Sequence, residues 1–157
     1  NLIKQLKAHL EEAKKILNEM IGLAKDLPNF AIIKSIPGIG DNLAVRILAE
    51  IGDIEKFDSR NKLIAYAGID PRVYESGKKE GKHLKITKKG NKRLRCLLYI
   101  AVSCSIRLRK ENKIKNYYIK KKQQTNPMCS KAAKIACCNK LLRMIYYMCK
   151  HGTMYQY

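Results

Sequence analysis

A chain of 157 residues with 46% hydrophobic side chains is long enough to bury a core and too apolar to be disordered. No apolar run approaches the roughly 18 residues that would span a bilayer, and no signal-peptide pattern opens the chain, so a membrane protein or a secreted one is not expected. The formal charge of +20 asks for a polyanionic partner. That charge is placed unevenly: residues 1–71 carry 10 basic and 10 acidic side chains, and residues 72–157 carry 23 and 3. A solvated face is the ordinary reading of a charge run, but an imbalance this large in a compact region repels itself unless a partner relieves it. Nucleic acid leads as that partner. An anionic membrane surface ranks behind it, because no basic amphipathic helix with bulky aromatic anchors stands out. The six cysteines, at positions 96, 104, 129, 137, 138 and 149, include no Cys-x-x-Cys pair and fall mostly on apolar helix positions. They read as buried reduced thiols, and the scattered His9, His83 and His151 make a zinc site improbable.

The chain begins at Asn1, without an initiator Met and inside what reads as a helix, which points to a piece of a longer protein. Leu6, Leu10, Ala13, Leu17, Met20, Ala24 and Leu27 alternate steps of four and three. This heptad seam predicts a coiled-coil arm over residues 1–27, with an amphipathic helix lying against its own domain as the plainer alternative.

After Pro28 a second helix runs to Ile36-Pro37-Gly38-Ile39-Gly40, and a third follows with Ala44, Ile47, Leu48 and Ile51 on one face. Two helices joined through Pro-Gly-x-Gly form a tight hairpin whose glycines admit backbone conformations closed to other residues. The second helix of such a hairpin turns its unpaired N–H groups and positive dipole end outward, where a phosphate fits. Gly38, Ile39, Gly40 and Asn42 are the candidate contacts; an ordinary tight turn is the alternative.

Phe57 is expected in the core, and Asp58 or Ser59 caps a helix through Leu63, Ile64 and Tyr66 that Gly68 and Pro71 close. Residues 72–87 change character. Arg72-Val73-Tyr74 and His83-Leu84-Lys85-Ile86-Thr87 alternate like short strands around a lysine-rich, glycine-punctuated loop, giving a β-hairpin-like element in an otherwise mainly α-helical bundle. A helix is predicted from Lys92 to Arg109, with Leu94, Leu97, Leu98, Ala101, Ser105 and Leu108 facing inward. Lys92, Arg93 and Arg95 crowd its positive dipole end, which favours a phosphate there. Asn112–Gln124 reads as a lysine-rich helix, in which at least one of Tyr117 and Tyr118 packs on the core while the other is free to stack on bases. The last helix, Ser130–Lys150, carries Ala133, Ala136, Cys137, Leu141, Met144, Ile145, Met148 and Cys149 as a core stripe that closes the bundle. About the tail, Tyr155-Gln156-Tyr157, the pattern says little.

Taken in order, Ile36-Pro37-Gly38-Ile39-Gly40, Leu48-Ala49-Glu50-Ile51-Gly52-Asp53, Ala65-Tyr66-Ala67-Gly68, Pro71, Ser76-Gly77, Thr87-Lys88-Lys89-Gly90-Asn91 and Leu94-Arg95 resemble the C-terminal domain of the IS-one-ten family of insertion-sequence transposases. The resemblance runs from Leu27 to Arg109, and more loosely through Asn139-Lys140-Leu141-Leu142-Arg143. It implies a domain spanning 28–157, with a helix-hairpin-helix part at 28–71 and a basic helical part at 72–157. It also implies an upstream DEDD nuclease domain that brings carboxylates and Mg²⁺, and a bridge RNA that pairs with DNA. This chain itself is expected to hold no cofactor. Ser76 corresponds to the serine taken in the family as nucleophile toward a DNA phosphodiester. Lys78, Lys79, Lys82, Lys85 and Lys88 would supply positive charge around it, with Lys89, Asn91, Lys92, Arg93 and Arg95 holding nucleic-acid backbone. The implied setting is the bacterial cytoplasm and its nucleoid, with DNA and structured guide RNA as partners, self-association through the arm or the upstream domain, and no membrane. A non-catalytic helix-hairpin-helix binding module is the alternative from a different class, and a ribosome-associated basic protein is a weaker third.

Overall fold

The longest run of core positions lies in the last helix, and the rest of the chain is arranged around it. The structure, a computed structural model, describes residues 1–71 and 85–157. Among the described residues seven α-helices follow one another: α1 (Leu2–Ala24), α2 (Pro28–Lys34), α3 (Asp41–Ile51), α4 (Arg60–Ala67), α5 (Lys92–Arg107), α6 (Lys113–Gln123) and α7 (Ser130–His151). A 3-10 turn at Ile54–Lys56 separates α3 from α4. Among the described residues there is no strand, and the expected extended element is present only as an antiparallel bridge between Pro71 and Ile86. Residues 72–84 lie outside the description, and with them Arg72-Val73-Tyr74, Ser76, Lys78, Lys79, Lys82 and His83.

α7 packs against α2, α4, α5 and α6 and against the 3-10 turn. A helix with neighbours on several sides needs a wide apolar face, so Cys138 and Leu142 join Ala133, Cys137, Leu141, Ile145 and Met148 in the core. Ala136, Met144 and Cys149, expected in the same stripe, are half-buried at its margin. α5 lies alongside with Leu94, Leu97, Leu98, Ala101, Val102 and Ser105 buried. Its last helical residue is Arg107, and Leu108 turns to extended backbone (φ −60°, ψ 141°) and points to solvent instead of inward. The helical periodicity simply stops one step before Leu108.

The heptad seam of α1 is divided in two. Leu17, Met20, Ile21 and Ala24 pack onto the core, where α1 meets α3, whereas Leu6, Leu10 and Ala13 are exposed. Leu27 is also exposed, because Pro28 does not end α1 but occupies the first turn of α2 with its fixed φ already helical.

Burial of the thiols is less uniform than the pattern predicts. Cys137 and Cys138 are buried, Cys104 and Cys149 are half-buried, and Cys96 and Cys129 are exposed, the latter because it precedes the first turn of α7. All are unbonded thiols. Burial pushes the pKa of Cys137 up to about 11, of Cys138 to about 12 and of Cys149 to about 11.

The tail is a strap. The Tyr155 backbone N–H donates to Ser35 Oγ at 2.9 Å, and its phenolic oxygen accepts from the Lys113 backbone N–H at 2.9 Å. α2 and α6 are thereby tied together. Lys110 Nζ sits 3.5 Å from the centroid of the Tyr157 ring, which meets Tyr155 edge-on at 5.2 Å.

Candidate nucleic-acid interface

Two turns position the candidate residues, and each is built for close approach. In the first, α2 ends at Lys34 and Gly38 takes φ +90°, which reverses the chain into α3. A Cβ on Gly38 would lie 2.6 Å from the Ser105 backbone nitrogen, so only glycine lets the hairpin rest on α5. The Ser105 hydroxyl donates to the Pro37 carbonyl at 2.6 Å and fixes the contact. Ile39 is buried, so it can offer a ligand only its backbone, while Gly40 and Asn42 are exposed. Gly40 precedes α3 without a side-chain cap, and the amides of Asp41, Asn42 and Leu43 have no partner among the described residues. They form an open, positive helix end. One carboxylate is already nearby: Asp41 Oδ1 lies 2.6 Å from Lys34 Nζ, a charge contact without hydrogen-bond alignment, and is otherwise screened from solvent.

The second turn is a clasp between the end of α4 and the start of α5. Gly68 closes α4 in the left-handed conformation (φ +65°). From there Lys88 N donates to Gly68 O, Asn91 N to Tyr66 O, Thr87 N to Asp70 O, and Thr87 Oγ1 to Asp70 Oδ1 at 2.7 Å. A Cβ on Gly90 would meet Tyr66 O at 2.4 Å, which explains why the Lys-Lys-Gly-Asn sequence has glycine there. Asn91 caps α5 by accepting from Leu94 N, and its Nδ2 donates to Glu50 Oε2 at 2.7 Å. Arg95 Nη1 donates to the Ala67 and Gly90 carbonyls.

Asn91 and Arg95 therefore have structural work that the sequence pattern did not reveal. Their own side chains hold α4 to α5, and the cations left outward at this corner are Lys85, Lys88, Lys89, Lys92 and Arg93, all exposed. Lys88 adopts φ +56°, the one non-glycine residue among those described with a positive φ. The segment containing Ser76, Lys78, Lys79 and Lys82 leaves from Pro71 and returns at Lys85, so its two ends are pinned at this same corner by the Pro71–Ile86 bridge.

Charge dominates the rest of the surface. Residues 85–157 contain 19 Lys and Arg and a single acid, Glu111. Among the described residues the ion pairs are Lys14–Glu11, Lys34–Asp41, Lys62–Asp58 and Lys150–Glu55, so Lys150 alone of those 19 has an anionic partner. Tyr117 and Tyr118 are both half-buried against the core; Lys140 and Lys121 lie 4.6 and 5.3 Å from the Tyr117 ring centroid, so lysine ammonium groups rather than bases occupy that ring. The helix end at α6, in contrast to that at α3, is closed: Asn112 Oδ1 accepts from Ile114 N and Lys115 N, and Tyr155 takes Lys113 N. Among the described residues no three His, Cys, Asp or Glu side chains converge to hold a metal ion.

Comparison with known proteins decides what this corner belongs to. The family model described as Transposase IS116/IS110/IS902 family matches residues 30–119, which takes in the hairpin, the clasp, α5 and most of α6. The chain belongs to this transposase family. It is 40% identical over 80 residues to the transposase for insertion sequence element IS1111A of Coxiella burnetii, a match covering 51% of this chain and 22% of the relative. Over 70 residues it is 37% identical to a pilin gene-inverting protein of Moraxella bovis, covering 45% of this chain and 22% of that one. A protein of insertion element IS110 from Streptomyces coelicolor aligns with 99% of this chain at 23% identity, over 37% of its own length. These matches thus span between about a fifth and just over a third of the curated relatives. No helix among the described residues is long and apolar enough to cross a membrane.

Proposed function

We propose that this chain is the part of a DNA transposase that grips nucleic-acid backbone, with the α3 hairpin and the Lys85–Arg93 corner as its contacts. The observation that carries the reading is the excess charge of residues 85–157, which hold 19 cations and one acid, and among the described residues one of those cations is ion-paired. Such a surface is relieved by phosphates, and the open α3 amides and the exposed Gly40 and Asn42 add an anion-accepting backbone of the helix-hairpin-helix kind. Asp41, in the first turn of α3, adds one negative charge beside that site, with Lys34 Nζ 2.6 Å from its Oδ1. DNA is the first partner and structured guide RNA the second, both held through backbone.

Ser76 is the nucleophile in this proposal. Attack on phosphorus requires a base to take the hydroxyl proton and positive charge to stabilise the developing oxyanion. Lys78, Lys79, Lys82, Lys85 and Lys88 are near in sequence to supply the charge, and the leaving 3′ or 5′ oxygen takes a proton in turn. The Mg²⁺ chemistry expected of the family belongs to carboxylates of the upstream nuclease domain. The donor groups of the described residues do not fit such a site, so no step here runs through a metal. The exposed first half of α1, Leu2 to Ala13, serves self-association as one strand of a coiled coil. The setting of this activity would be the cytoplasm and nucleoid of a bacterium.

Binding to a labelled duplex and to a structured RNA across a salt series tests the grip. Gly40→Glu is the informative hairpin variant, because Gly40 has open space around it whereas Gly38→Glu would collide with the α5 backbone. Affinity should fall in Gly40→Glu and in Lys88→Ala/Lys92→Ala, each with an unchanged melting profile; parental affinity in both removes this corner from binding. For the chemistry, Ser76→Ala in the intact recombinase should abolish strand exchange and leave binding intact. Retained exchange would favour the non-catalytic helix-hairpin-helix module instead.

A further inference from the structure

Ser105 and Asn112 are the two buried polar side chains among the described residues, at 0% and 4% exposure, and both belong to one circuit of hydrogen bonds. The Ser105 hydroxyl, near the end of α5, donates to the Pro37 carbonyl at 2.6 Å. Asn112 Nδ2 donates to the Ser105 carbonyl at 2.9 Å, one of those that the end of α5 leaves without a helical partner. The next residue, Lys113, donates its backbone N–H to the Tyr155 phenolic oxygen, and the Tyr155 backbone N–H donates to Ser35 Oγ, two residues before Pro37. The bonds therefore close into a ring around the root of the hairpin.

One hydroxyl proton decides the geometry. Ser105 Oγ lies within reach of Pro37 O and, at 2.9 Å, of Ala101 O, but it has a single proton, and the Ala101 carbonyl is already the helical partner of the Ser105 backbone N–H. Pro37 O has no other donor among the described residues, so the proton goes to it. A trans peptide is planar and holds its C=O and N–H on opposite sides, so a Pro37 carbonyl turned to Ser105 turns the Gly38 N–H away from it. That amide, like those of Asp41, Asn42 and Leu43, has no partner among the described residues. Burial of Ile36 and Ile39 holds the hairpin against the core, but apolar packing is non-directional and does not set the rotation of a peptide plane.

We propose that Ser105 is a positioning residue for the hairpin: its hydroxyl fixes the Pro37–Gly38 peptide so that the Gly38 N–H and the open end of α3 are preset for a backbone phosphate, and the bonds through Asn112 and Tyr155 hold that setting. This rests on the hairpin grip proposed above and adds what keeps the grip in shape. A satisfied buried polar network stiffens the segments it joins. A loop already in its bound conformation loses less entropy when the phosphate arrives, so affinity rises with no added contact to the ligand. Tyr155 acts on binding in the same way, through Ser35 and Lys113 and not by touching nucleic acid.

Duplex binding across a salt series, paired with amide hydrogen exchange, tests this in the 157-residue chain and in Ser105→Ala, Tyr155→Phe and Ser103→Ala, the last removing a half-buried α5 hydroxyl outside the ring. Ser105→Ala should lose about two- to tenfold in affinity at a temperature where it is folded, with an unchanged salt slope because no cation is removed. Its exchange at Gly38–Leu43 should rise by a larger factor than that of the buried α7 amides, which report global opening. Tyr155→Phe, which opens the ring at its far side and keeps the readout should Ser105→Ala fail to fold, should change both quantities in the same direction, and Ser103→Ala neither. Parental affinity in the folded ring variants, or exchange that accelerates equally in the hairpin and α7, reduces Ser105 to a structural residue and overturns the proposal. If Gly40→Glu still binds as the parent does, or the parent binds no duplex even at low salt, the grip itself falls and this role with it.

Discussion

The two halves of this molecule handle charge in opposite ways. In residues 1–71 the 10 cations and 10 anions balance, and Lys14–Glu11, Lys34–Asp41 and Lys62–Asp58 pair locally. In residues 85–157 one acid faces 19 cations, and the one ion-paired among the described residues, Lys150, reaches back to Glu55 of the first half. The halves meet through polar contacts that run the same way: Asn91 donates to Glu50, Arg95 to Ala67 and Thr87 to Asp70. The first half acts as a frame that neutralises only the few second-half groups it needs for folding. On the proposed function the remaining cations meet nucleic acid, which makes folding and binding separable by mutation.

The largest effect tests the frame. Gly90→Ala places a Cβ where only 2.4 Å separates it from Tyr66 O, and backbone must move to admit it. We expect a loss of about 3 kcal/mol or more in denaturant unfolding, on the scale of an overpacked or strained site. A near-neutral result would mean that the clasp does not join the halves. Asn91→Ala comes next: it removes an α5 cap and leaves the Glu50 carboxylate without its donor, for about 2 kcal/mol.

Alkaline titration probes the core that both halves share. Cys137 and Cys138 titrate at about 11 and 12 in the fold, against 9.0 for an ordinary thiol. Below pH 9 both states hold the proton and this contribution is intact. As pH rises from 9 towards 11–12, the unfolded chain alone loses protons, so each buried thiol should lower stability by up to about 1.4 kcal/mol per pH unit. A Cys138→Val protein that falls as steeply as the parent would assign the alkaline loss elsewhere. At neutral pH a thiol reagent should modify Cys96 and Cys129 in the native protein and Cys138 only after unfolding.

The smallest expected change in stability is also the sharpest test of the division. Lys92→Glu/Arg93→Glu puts acids in the first turn of α5, where the dipole favours them by roughly 0.3–1 kcal/mol each, so the protein should become slightly more stable. Nucleic-acid binding should weaken, with the slope of log K against log salt reduced by about 0.9 for each phosphate no longer neutralised. Stability and affinity that fall together would break the comparison between frame and binding half.

Helices were largely legible in the chain because apolar periodicity and turn residues determine them: Ser59 does cap α4, Asn91 precedes α5, and the Pro-Gly-Ile-Gly turn does join α2 and α3. Long-range polar bonds carry no periodicity. The basic crowding at α5 counted Arg95 with Lys92 and Arg93, but Arg95 donates to carbonyls that end α4. Nor does a sequence tell which half of a heptad seam finds a neighbour, which is why Leu6 and Leu17 look equivalent until α3 is placed beside one of them. Tyr155 had no readable role because both of its partners, Ser35 and Lys113, are distant in sequence.

The Pro71–Ile86 bridge and the Thr87–Asp70 bonds have a consequence for which substitutions the corner tolerates. The bridge and the Thr87–Asp70 bonds hold the start of α5 to the end of α4 by contacts far apart in sequence, so the approach of these two helices is set by backbone and short side chains and not by the long cations that face outward beside them. The outward Lys88, Lys89 and Lys92 can therefore be exchanged without disturbing how the two helices meet.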